Sequence, residues 1–221
     1  MTRRMKLLAL GFAVLIVIAT SETVIIATMA DKSQTNAVRV ACVGDSITRG
    51  TLYTIDLWQL LGPNYVVGDF GVGGVTVSLN SDSPYRNTTA FQIAQQFKPD
   101  LVIIMLGTND ARTNVIESAT AFVNDYVTLL TELQSLASKP KIWIVQPPPI
   151  FNNTANISSE CFVQNVIPSI KQVANALDLP LIDAYTPLLG HSEYFPDGVH
   201  PDNNGANIIA NAIYSELNSS G

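Results

Sequence analysis

The chain has 221 residues, 47% of them hydrophobic and only 14% charged, with a formal net charge of −6. That length and composition suit one α/β domain with a sizeable core, and exclude a disordered chain or a coiled coil. The acidic balance excludes nucleic acid as a partner, because phosphate binding needs clustered Lys and Arg.

The first 30 residues differ from the rest. Arg3, Arg4 and Lys6 precede an unbroken run of apolar and small residues from Leu7 to Thr20. Small residues at Ala19-Thr20-Ser21 and Thr28-Met29-Ala30 offer cleavage sites, so residues 1–30 read as a secretory signal. Apolar character resumes at Val24 to Ala30. The whole stretch therefore also has the ~20 residues that an uncleaved membrane anchor needs. The expectation is a protein that is secreted or tethered by its N-terminal segment. Residues 31–37 read as a polar linker and 38–221 as a single domain.

From Val38 onward, strand-like runs alternate with helical segments. The expected strands are 38–43, 65–70, 101–106, 141–145 and 181–183, each rich in Val, Ile or Leu, as parallel strands covered on both faces are. The stretch 47–61 reads as helical, most clearly over 51–61, and further helices are expected over 88–97, 115–137, 161–177 and 202–217. Pro168 means that the fourth of these begins late or kinks. Such alternation predicts a three-layer α/β/α sandwich around a parallel sheet with right-handed crossovers. Trp58 and Trp143 are expected in its core. Cys42 falls within the first strand, and it and Cys161 are expected to stay unpaired. Sequons stand at Asn87, Asn152, Asn156 and Asn218, acceptors of glycan only in a eukaryotic secretory pathway. No Cys/His spacing suggests a metal site.

In open parallel sheets the site lies beyond the carboxyl ends of the strands. Four strand ends deliver chemistry there: Asp45-Ser46, then Gly71-Val72-Gly73-Gly74, then Gly107-Thr108-Asn109-Asp110, and finally Asp197-Gly198-Val199-His200. Ser, His and Asp are the parts of a serine hydrolase. A serine hydroxyl needs a base at neutral pH, which His200 supplies, and Asp197 is close enough in a tight loop to hold the imidazole by its other nitrogen. The candidate oxyanion donors are the Ser46 and Gly74 backbone amides and the Asn109 side chain. Asp183, ending the last strand, competes with Asp197 but lies far from His200 in sequence. Asp45 and Asp110 read as caps of the segments that follow them. His191 reads as a surface loop residue.

These four blocks, in this order and approximate spacing, resemble those of the SGNH (GDSL-type) hydrolases over about residues 38–217. The resemblance implies a flavodoxin-like five-stranded sheet of order 2-1-3-4-5, no cofactor and an open site. Carried over position by position, it implies Ser46 as nucleophile, His200 as base, Asp197 as its orienter, and Gly74 and Asn109 completing the oxyanion hole. The second block departs from the pattern: Asp69 stands where many members have Asn, and Gly71 or Gly73 competes with Gly74 as donor. The third and fourth blocks look like those of carbohydrate acetylesterase-like members. The leading expectation is therefore an exported serine esterase removing short acyl groups, acetyl above all, from carbohydrate. The alternatives are a lysophospholipase, lipase or thioesterase with the same chemistry, and a non-catalytic carbohydrate-binding module on the same fold.

Overall fold

The structure, a computed structural model, describes residues 37–115 and 118–219. The expected signal or anchor, and all of the expected linker before Ala37, lie outside the described residues. Five strands, β1 (Val38–Gly44), β2 (Tyr65–Gly71), β3 (Leu101–Met105), β4 (Lys141–Gln146) and β5 (Leu181–Asp183), form one sheet in the order β2-β1-β3-β4-β5. Every pairing is parallel, as the alternation of elements requires. The register sets Gly44 of β1 beside both Gly71 of β2 and Met105 of β3, so the carboxyl ends of the central strands finish level.

Period-two alternation sends β-strand side chains into two separate cores. Ala41, Val43, Val102, Ile104, Ile142 and Ile144 face one side, under helices α3 (Thr89–Gln96), α4 (Ala119–Gln134) and α5 (Ile167–Ala176). Val40, Cys42, Ile103, Met105, Trp143 and Val145 face the other, under α2 (Tyr53–Leu61) and α6 (Asn203–Ser219). Both faces are apolar because both are covered, which is why the strands read as continuous hydrophobic runs. Each fully buried Ile or Leu in these layers contributes roughly 1.5–3 kcal/mol of transfer free energy. Cys42 and Cys161 are both free, as expected.

Three helices differ from the sequence expectation, each for a local reason. The stretch 47–61 is not continuous: a short α1 (Ser46–Gly50) ends, Thr51 is extended at φ −118° and ψ 170°, and α2 then starts. The Thr51 hydroxyl donates to the Ile47 carbonyl at 2.8 Å, taking the acceptor that a continuing helix would need. The helix expected from 115 begins at Ala119, because the Ser118 hydroxyl accepts the Ala121 amide and caps it there. Around Pro168 the helix does not begin late. It begins early, at Ser159–Cys161 behind the Ser158 cap, passes through a π-helical turn at Phe162–Val166 and continues as α5 with the proline in its first turn. The wider turn accommodates a residue with no amide to donate.

Trp143 is in the core, 7% exposed, but Trp58 is not: it is 50% exposed. It lies on the outer face of α2, and its indole N–H donates to the Tyr65 carbonyl at 3.0 Å on the neighbouring edge strand.

Candidate active site

Ser46 is the first residue of α1, directly beyond β1. The corner is tight: a Cβ on Gly44 would fall 1.9 Å from the Thr48 hydroxyl oxygen. Asp45 caps α1 by accepting the Ile47 amide at 2.9 Å, as expected. Its carboxyl is almost wholly buried, at 1% exposure, and burial pushes its pKa up to about 6 against the lowering effects of Ile47, Thr108, His200 and Arg112. Its Oδ2 and the Thr108 hydroxyl are buried close to one another, yet neither completes hydrogen-bond geometry.

His200 arrives from the loop before α6. Its Nε2 is 2.7 Å from Ser46 Oγ, and its Nδ1 is 2.6 Å from Asp197 Oδ2. The other Asp197 oxygen accepts the amides of Val199 at 2.9 Å and His200 at 2.7 Å. Partial burial pushes the Asp197 pKa up, but the bonds from His200 and these amides outweigh it and bring it down to about 2. An ionised Asp197 can only accept, so Nδ1 carries the proton and Nε2 is left to accept from the Ser46 hydroxyl. The loop is closed by Gly198, at φ +82°, whose amide donates to the Phe195 carbonyl. The Gly198 carbonyl accepts from Phe151 at 2.8 Å, and a Cβ on Gly198 would sit 2.1 Å from the Asn152 carbonyl oxygen. The β4 loop is thus seated on the histidine loop, with the Phe151 and Phe195 rings 5.0 Å apart. Asp183 is spent elsewhere, accepting the amides of Tyr185 and Thr186 at 2.9 Å. His191 is exposed and pairs with Glu193, stacked on Tyr194, in keeping with a surface role.

On the other flank runs the segment after β2. Gly71 donates its amide to Asp69 Oδ1 at 2.8 Å, which removes it from the candidate donors. The Cβ position of Gly73 is 4.0 Å from the Ser46 Cβ. Gly74, at φ +77°, has its carbonyl held by Arg112 Nη1 at 3.1 Å. Asn109 is 3% exposed and donates one amide hydrogen to the Val75 carbonyl at 2.9 Å, leaving the second available. Asp110, expected as a cap of the segment after it, also braces the loop after β2. It is buried, and its two oxygens accept the amides of Val77 at 3.0 Å and Ser78 at 2.9 Å. Asp125 on α4 accepts the next amide, Leu79, at 2.7 Å. Sequence reasoning missed Arg112 and Asp125 altogether. The only signal for Arg112 was a lone cation directly behind the third block.

A serine, an imidazole and a carboxylate thus stand in line at the carboxyl edge of a flavodoxin-like sheet, where such folds place their sites. The profile of the GDSL-like lipase/acylhydrolase family matches residues 42–208, and the chain belongs to that family of carboxylic ester hydrolases. It is 31% identical over 208 residues to an acetylxylan esterase of Xylanibacter ruminicola, covering 82% of this chain and 43% of that protein. The chain thus spans less than half the length of that relative. Among solved structures it resembles a putative arylesterase from Agrobacterium tumefaciens, with 24% identity, a TM-score of 0.67 and coverage of 82% of this chain and 99% of the other. It also resembles a carbohydrate acetylesterase from Sinorhizobium meliloti, with 20% identity, a TM-score of 0.63 and coverage of 83% and 100%. At these identities the likeness establishes the fold.

Proposed function

We propose that the domain is a serine esterase that removes short acyl groups, acetyl in particular, from carbohydrate. The observation that carries the reading is the continuous relay from Asp197 through His200 to Ser46, with both links under 3 Å. In this mechanism Ser46 Oγ attacks the ester carbonyl carbon while His200 Nε2 takes the hydroxyl proton. The carbonyl oxygen becomes an oxyanion and receives the Ser46 and Gly74 amides and the spare hydrogen of Asn109. Collapse breaks the ester bond. The alcohol leaves with the proton from His200, and Ser46 holds the acyl group. Water then gives a proton to the same nitrogen, attacks the acyl carbon and releases the acid. The carbohydrate acetyl preference is supported by likeness to the acetylxylan esterase.

The test is Ser46→Ala assayed on p-nitrophenyl acetate, with a fall of about a thousandfold or more in kcat expected. A variant working at the wild-type rate overturns the reading. Rates on C2 and C12 esters decide the acyl class, with C2 expected to be faster and the reverse order pointing to a lipase. We also propose that the domain acts outside the cytoplasm, on the strength of the basic, apolar and small-residue pattern of residues 1–30. Fractionation that finds it wholly cytoplasmic overturns this.

A further inference from the structure

The loop that carries Gly73 and Gly74 also borders a concavity. A cavity of about 100 Å³ opens there, lined by buried Thr76, part-buried Gly74 and Arg112, and exposed Asn80, Asp82 and Asn114. It begins one residue from Gly73, whose Cβ position is 4.0 Å from the Ser46 Cβ. At ~15 Å³ for each water-sized group, it has room for several hydroxyls.

Its frame is rigid. Thr76 donates its amide to the Ser83 carbonyl at 3.1 Å and accepts from the Tyr85 amide at 2.9 Å, closing the neck of the loop between them. Asp110 and Asp125 hold the amides of Val77, Ser78 and Leu79 from behind. The Thr76 hydroxyl is engaged inside the loop with Ser78 and Ser81. The side chains of Asn80, Asp82 and Asn114 are different: among the described residues they have no hydrogen-bond partner. The loop is therefore ordered from within while these two amides and one carboxylate are presented outward.

Among the described residues the lining carries one cation, one anion, amides and hydroxyls, and Val115 is its single apolar side chain. An alkyl chain finds little surface on these residues. A neutral polyhydroxylated ring, whose every hydroxyl both donates and accepts, finds partners of both kinds. We infer that this cavity is the saccharide subsite of the enzyme, binding the sugar ring that bears the scissile ester through Asn80, Asp82 and Asn114. The inference rests on the carbohydrate esterase reading above and adds where the alcohol lies. Arg112 is a positioning residue here, fixing the Gly74 carbonyl that the subsite shares with the oxyanion side.

Acetylated xylo-oligosaccharide and p-nitrophenyl acetate deliver the same acetyl group from different alcohols. The quantity to measure is the ratio of their kcat/KM values in Asn80→Ala, Asp82→Ala, Asn114→Ala and the triple variant, with thermal melting to confirm the fold. Each single truncation is expected to lower the ratio about fivefold, chiefly through KM on the sugar ester, as loss of one hydrogen bond implies. The triple variant is expected to lower it on the order of a hundredfold. If the wild type cleaves the sugar ester and the triple variant keeps the wild-type ratio, the subsite is wrong and the esterase reading stands. If the wild type cleaves p-nitrophenyl acetate but no acetylated oligosaccharide, the carbohydrate reading falls and the subsite with it.

Discussion

The two loops that reach Ser46 are built on opposite plans. The histidine loop is held by itself: Asp197 binds the amides of Val199 and His200, two and three residues on, as well as the imidazole. The segment from Gly74 to Leu79 is held by others. Apart from Thr76, which pairs with Ser83 and Tyr85, its carbonyls and amides go to Arg112, Asn109, Asp110 and Asp125, between 32 and 46 residues away. It has almost no regular structure, so side chains take over the pairing that a ladder would give. His200, the proposed base, is thus positioned locally, and the proposed oxyanion side by long-range polar contacts. Damage to the two should therefore look different.

The largest effect is expected at the local loop. Asp197→Asn keeps an acceptor for the backbone amides but offers the imidazole an amide that favours the wrong tautomer. A fall in kcat of about ten-thousandfold is expected, as in triads generally, with little change in melting temperature. Retained activity breaks the assignment of Asp197. Next comes Asp110→Ala on the distant side, where two buried amides lose their acceptor. At ~1–3 kcal/mol for each buried group left unsatisfied, the loss of stability is expected to be about 3 kcal/mol, read by urea denaturation. Activity should fall as well, because the Gly74 segment loosens. Loss of activity with no loss of stability contradicts the bracing role.

The smallest effect concerns Asp45, which lies between the two loops. Its folded pKa of about 6 lies above the ordinary 3.8, so the fold prefers its protonated form. The stability this contributes is complete below about pH 4 and is lost as pH rises through 6. Above that, the buried carboxylate opposes folding. Asp45→Asn keeps the cap and places a donor beside Thr108. It is expected to raise the melting temperature at pH 8 and to leave it nearly unchanged at pH 4. An equal shift at both values removes the buried titration as its cause.

The same contrast governs what could be read from the sequence. The five strands were legible because both faces are apolar and no single side chain decides them. The Asp197-Gly198-Val199-His200 block was legible because all its bonds are short in sequence. The bracing role of Asp110 was not legible because Val77 and Ser78 lie on another strand's loop, and nothing near it in the chain indicates them. The break at Thr51 and the start at Ser118 turned on single hydroxyls binding the backbone. Trp58 misled because an amphipathic residue with a satisfied indole N–H can stay on the surface.

The contact of Gly198 with the β4 loop has a consequence for redesign. No side chain fits at Gly198, and Phe151 donates to its carbonyl, so the β4 loop and the base share one hinge point. Grafting a relative's loop to change substrate must keep Phe151 and Asn152, and with them buried Ile157 and the helix cap Ser158. A graft that replaces Asn152 moves the histidine along with the specificity it was meant to alter.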